Sequence, residues 1–220
     1  MLFPTEMCKV AKYSQHAILS IMLAAILHFA SLSSAIPVCK LSFVNGNKIY
    51  NFSLASPVSA FPHGILSEDG FYKCTMNETV LRFQVCDGLI FNHDFPKCVD
   101  CLDCELGSIY ATGGSALVTE NMRGYDVCVI LGYASSTTIG IKDLSRPEEG
   151  VVVNVSSVGS KHNCSLSVSV ICDPRGIQGP HSLEKTGFCD YSATLHHPSG
   201  CATVVSIHGN KSNWLSALFI

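Results

Sequence analysis

The chain has 220 residues, 14 Lys+Arg against 17 Asp+Glu, and 12 cysteines. Such a length can bury a full core, and near-neutral charge without a run of one sign excludes the nucleic-acid-binding class, which needs a basic stripe. No nucleophile elbow, zinc-protease motif or phosphate loop is present, so the chain reads as no enzyme, with no cofactor and no metal.

Lys9 and Lys12 precede the apolar run "AILSIMLAAILHFASL" (Ala17 to Leu32), and the small residues Ser33 and Ala35 follow it. This pattern predicts a secretory leader over residues 1–35, cleaved after Ala35. The alternative is an uncleaved signal anchor, for which a run interrupted by His28 is short of the roughly 20 residues a span needs. Cleavage removes Cys8 and leaves an odd set of cysteines on a route where disulfides are the default. Asn51, Asn77, Asn154, Asn163 and Asn210 each begin an Asn-X-Ser/Thr acceptor, as expected of a lumenal or secreted glycoprotein that carries its own N-glycans.

Residues 36–209 read as one β-domain. "KIYNFSL" sets Tyr50, Phe52 and Leu54 on one side, "VLRFQVC" does the same with Leu81, Phe83 and Val85, and "CSLSVSVIC" alternates Ser165, Ser167 and Ser169 with Leu166, Val168 and Val170. A period of two predicts half-buried strands. Further strands are predicted over Asp126 to Ala134, Val151 to Val158 and Cys201 to Gly209, with Gly, Pro, Asn and Ser clusters marking the turns. "ATGGSA" (Ala111 to Ala116) lacks the lysine and spacing of a phosphate loop and reads as a flexible hairpin loop. Many short strands without helical periodicity predict an all-β sandwich or flattened barrel. The tail, residues 210–220, ends in "NWLSALFI", which either packs on the domain or begins a transmembrane segment. Membrane association is expected only through such a helix or an uncleaved leader.

"CVDCLDC" (Cys98, Cys101, Cys104) has metal-like spacing, but behind a leader oxidation to disulfides is expected over zinc. His196 and His197, beside Pro198, read as solvated turn residues; metal binding or pH sensing is the alternative.

Spacing alone gives no disulfide connectivity. The segment "CDYSATLHHPSGC", however, resembles the closing signature of the mannose 6-phosphate receptor homology family at Cys189, Tyr191 and Cys201. "VSVICDP" is similar to that family's penultimate strand, which ends in Cys-Asp-Pro. The resemblance extends from about Cys39 to Ser206 and departs from the pattern at Ala193 and Gly200. It implies a disulfide-stapled, flattened barrel or sandwich of two mostly antiparallel sheets. It also implies the pairs Cys39–Cys86, Cys164–Cys189 and Cys172–Cys201, with the closing segment a hairpin stapled into neighbouring strands by both its ends. A short bridge between Cys98 and Cys104 would follow as well, leaving the pairing of Cys74, Cys101 and Cys128 open.

The family's sugar site combines Gln, Arg, Glu and Tyr, a mixed donor and acceptor set suited to vicinal hydroxyls. Tyr191 matches its tyrosine. Glu184 lies in the segment that carries its glutamate. Glu105 stands where the glutamine is expected, and an ionised carboxylate cannot donate. "CSLSVSVIC" holds no arginine. A degenerate carbohydrate site with weak or absent mannose binding is therefore expected. The resemblance implies a non-enzymatic module of the secretory-pathway lumen (endoplasmic reticulum, Golgi or endosome) or a secreted one. It would act in sorting glycoproteins, with a glycoprotein or protein ligand as partner. The alternative is a scaffold of a membrane-anchored sorting factor similar to autophagy-related protein 27, without sugar binding.

Overall fold

Strands form here where apolar and small polar side chains alternate, because a period of two sends one set into a core and leaves the other outside. The computed structural model describes residues 39–102, 114–157 and 163–207; the leader, Cys104, Glu105, Asn210 and the tail lie outside them. The strands are β1 (Lys40–Asn45), β2 (Lys48–Ser53), β3 (Tyr72–Met76), β4 (Thr79–Phe83), β5 (Asp100–Leu102), β6 (Gly114–Met122), β7 (Tyr125–Tyr133), β8 (Thr138–Ile141), β9 (Gly150–Ser156), β10 (Ser165–Cys172), β11 (Gln178–Lys185), β12 (Asp190–His197) and β13 (Thr203–Ser206).

The described chain is all-β, a sandwich of mostly antiparallel sheets. Three ladders are present rather than two: β1-β2-β13, β11-β12-β10-β9-β8 and β3-β4-β6-β7-β5. The parallel neighbours are β10 with β12 and β5 with β7. Leu81, Phe83, Val118 and Leu131 of one large sheet share a core with Val153, Leu166, Val168, Tyr191 and Leu195 of the other, and Tyr50 and Phe52 of the small sheet join it. Burying each of these large apolar side chains contributes roughly 1.5–3 kcal/mol. The barrel does not close among the described residues. On the edge strand β11 the register shifts twice, Pro180 has no N–H to donate, and Ser182 sits at φ 58°.

Two expectations about local structure are corrected. Gly114, Ser115 and Ala116 do not belong to a loop; they open β6 and are buried. Small side chains are needed there because β6 is covered on both faces. Val118 faces the main core, while Leu117 packs with Cys128 and Ile130 in a second cluster beside Leu89, Cys98 and Cys101. The segment from Cys189 to Cys201 is likewise not a hairpin. It is one strand, β12, followed by a single 3-10 turn at Pro198–Gly200. His197 is therefore a fully buried strand residue rather than a solvated one, and His196 is half-buried on the other face.

The cysteines follow from this topology. β10 and β12 run in parallel register, Ser165 opposite Asp190 and Cys172 opposite His197. Cys164 and Cys189 thus meet at one end of the pair and Cys172 and Cys201 at the other, with Cα separations of 5.0 and 4.4 Å. Cys39–Cys86 also forms. Cys98 bonds Cys128, not Cys104, and this corrects the short bridge: β5 lies parallel to β7 with Cys101 opposite Cys128, which brings the Cα of Cys98 to 5.6 Å from that of Cys128. Cys101 is disulfide-bonded too, and Cys74 is a buried thiol opposite Leu81.

Candidate functional site

Tyr191 faces the core from β12, 2% exposed. Its hydroxyl donates across the sandwich to Oε1 of Glu120, a residue of β6 on the same face as Val118. Lys185 is the cross-strand partner of Tyr191 in β11. Its Nζ donates to the same Oε1 at 2.6 Å and stands 5.3 Å from the centroid of the Tyr191 ring. Burial pushes the Glu120 carboxyl up, but the hydrogen bonds from Lys185 and Tyr191 outweigh it and leave the group below its ordinary value. Burial, followed by the bond to Glu120 and its charge, raises the Tyr191 phenol. At neutral pH the site is a satisfied trio of phenol, carboxylate and ammonium.

Of the residues expected to share a site with Tyr191, the one that is described does not join it. Glu184 pairs with Ser192, one position on from the Lys185–Tyr191 pair, so it points to the outer face and is exposed. Glu105 lies outside the described residues. The cation missing from β10 has a counterpart in Lys185, four residues before Cys189. Its parity with Tyr191 across the β11–β12 ladder is the signal that could have found it, once the bulges of β11 are counted. Glu120 gave no signal, since nothing in "TENM" names a partner on β12.

Tyr191→Phe should destabilise the fold by about 1.5 kcal/mol, because a half-buried carboxylate loses a charge-assisted hydrogen bond. Urea unfolding at pH 7 checks this. A loss below about 0.5 kcal/mol would mean that the bond contributes little.

A separate cleft of about 770 Å³ is lined by Phe61, His63, Glu68, Lys73, His93 and Asp94 among others. Its floor is fixed by polar contacts: Tyr72 Oη donates to Ile65 O at 2.6 Å, and Gln84 exchanges hydrogen bonds with the backbone of Ser67. Asp94 accepts from Lys73 at 2.7 Å and from the buried Arg82 at 3.1 Å. The Lys73 bond is the main cause holding its carboxyl below the ordinary value. Arg82 lies 6.0 Å from the Phe71 ring, which is stacked on His93. The cleft thus has aromatic walls and an internally neutralised acid.

Among the acceptor asparagines, Asn77 is exposed in the β3–β4 turn, Asn154 is exposed on β9, and Asn163 is exposed just before β10. Asn51 is half-buried on β2 and accepts from Ser42 Oγ at 2.7 Å. All four lie at the surface rather than in the core.

Fold and cystines together define the class, a disulfide-stapled β-sandwich of an oxidising extracellular or lumenal environment. Among the described residues no helix is long and apolar enough to cross a membrane. No protein-family model matches the chain, and no curated protein matches it.

Proposed function

We propose that the chain is a non-enzymatic lumenal module of the mannose 6-phosphate receptor homology class, with its ancestral sugar pocket occupied by its own side chains. It works in secretory or endosomal sorting of glycoproteins through contacts with a glycoprotein or protein ligand. The observation that carries this reading is the double clamp of β12 onto β10 by Cys164–Cys189 and Cys172–Cys201, the crossed pairing that the resemblance implied. The lost sugar site is supported by the Tyr191 hydroxyl, which is committed to Glu120, and by Glu184, which faces away. In this reading residues 1–35 are a cleaved leader and the acceptor asparagines carry glycans. The closed pocket also favours the second reading, a scaffold of a membrane-anchored sorting factor without sugar binding.

The test joins two measurements. Secreted, glycosylated protein on an array of high-mannose and mannose 6-phosphate glycans should show no retention at micromolar concentration. Cells lacking the chain should misroute lumenal glycoproteins. Retention that free sugar releases would overturn the closed pocket, and an unchanged distribution of lumenal glycoproteins would overturn the sorting role.

A further inference from the structure

Three sheets have six edges, and an edge strand with free N–H and C=O groups invites another strand unless something blunts it. Four of these edges meet in pairs, β1 packing against β8 and β3 against β11. Asn45 of β1 also bonds Leu144 O just beyond β8 at 3.4 Å, and β11 carries its proline and two register shifts. β5 is three residues long and starts on Asp100. Among the described residues that leaves β13.

β13 has none of these protections. From Ala202 to Ile207 the sequence "ATVVSI" contains no charge and no proline, and the strand is exposed along its whole length. The Ile207 N–H donates to Asn47 O at 2.7 Å. By the alternation of an antiparallel ladder, Thr203 and Val205 therefore bond towards β2, while Val204 and Ser206 turn their backbone groups to the open side. An apolar row reaches this edge on the outer face. Val44 of β1 is opposite Ile49 of β2, and Ile49 is opposite Val205; Val44 and Val205 are 59% and 49% exposed, and Ile207 beyond them 45%.

We propose that β13 pairs antiparallel with β13 of a second copy of this chain. A two-fold axis through Val205 sets it against the partner's Val205, Val204 against the partner's Ser206, and Thr203 against the partner's Ile207. Residues directly opposite in an antiparallel ladder share a face, so the apolar row continues without a break through the partner's Val205, Ile49 and Val44. A second copy fits because the strand is self-complementary. With no charge between Ala202 and Ile207, self-pairing sets no like charges opposite each other, and two three-stranded sheets join into one of six. A glycan on Asn51 would leave the outer face one row away from Ile49, standing off the sheet rather than in the plane of pairing.

The experiment is sedimentation or light scattering of the secreted full chain from about 1 to 100 μM, a range that brackets a weak homodimer. Native protein should show twice the chain mass at the upper end. Val205→Lys, which sets two ammonium groups against each other at the axis, should weaken association by about 100-fold or more. Ser206→Pro removes an outward N–H that the β2–β13 pairing does not use, and should do the same. Thermal unfolding of both variants in the monomer range should match the native chain; if one variant fails to fold, the other decides. A native chain that stays monomeric throughout, whether because its own residues 208–220 cover the edge or because nothing does, overturns the proposal. So does a dimer that survives both substitutions.

Discussion

Removing the Cys39–Cys86 bridge, by serine at both positions, should lower stability by about 4 kcal/mol, the largest single loss expected in this chain. The bridge closes a loop of 47 residues, and in the chain-entropy picture a cross-link stabilises by denying the unfolded chain the freedom of that loop. Both half-cystines are buried, at 4% and 5% exposure, so the serine hydroxyls add a desolvation cost to the lost entropy. For a domain of this size 4 kcal/mol corresponds to a fall in Tm of about 8–16 °C. Thermal and urea unfolding without reductant, native against double-serine protein, measure it. A loss below about 1 kcal/mol would mean that the unfolded chain already keeps these ends together.

Acidification should weaken the fold through His197. Its ring is fully buried, 5.0 Å from the Phe61 ring, and Nδ1 accepts the Ser199 N–H at 3.0 Å. Nε2 has no hydrogen-bond partner among the described residues, and burial pushes the imidazole down to about 4. The folded state holds the neutral ring, whereas the unfolded chain takes up a proton below about 6.5. Stability from this residue is therefore complete above pH 6.5 and is lost as pH falls to about 4, for a total of about 3 kcal/mol. His197→Asn keeps an acceptor for Ser199 but cannot titrate. Urea midpoints taken from pH 7.5 to 4 should fall more steeply for the native chain than for this variant; parallel curves would rule the mechanism out. In a compartment that acidifies, the residue would loosen the end of β12 next to Cys201.

The parts of the fold that were legible are those buried on one face only. β10 declared itself because Ser165, Ser167 and Ser169 separate Leu166, Val168 and Val170, and half-burial imposes that alternation. β6 did not, because its first six residues are covered on both sides and small residues there mimic a loop. β11 was hidden by its bulges, which break the count of faces that a reader of sequence relies on. β12 carries a regular period, Tyr191, Ala193, Leu195 and His197 inward, yet two adjacent histidines before a proline look like a turn until the second is seen in the core.

The candidate site was legible only at Tyr191. Its acid, Glu120, comes from a strand 71 residues away in sequence, and a charge on one strand does not announce the strand it will face. Glu184 lies in the segment expected to carry the acid of the site, but its neighbour Lys185 is the residue that meets Tyr191, and a difference of one residue in a strand is a difference of face. Cys98 and Cys128 could not be matched for a related reason. Their approach depends on β5 joining the far edge of its sheet in parallel, a long-range choice with no local mark.

The two cystines at the ends of β10 and β12 turn these strands into a covalent ring: out along β10 to Cys172, across to Cys201, back along β12 to Cys189, and across to Cys164. The exposed strand β11 and the protruding Phe188 belong to a strap that bridges this ring and adds nothing to its closure. A protease that severs the strap anywhere between Asp173 and Phe188 leaves every fragment tethered and the central sheet pinned, so the molecule tolerates nicking where enzymes reach it most easily. Parting the two sides of such a cut takes reduction of both cystines as well, in either order, so proteolysis of the strap alone leaves the ring whole.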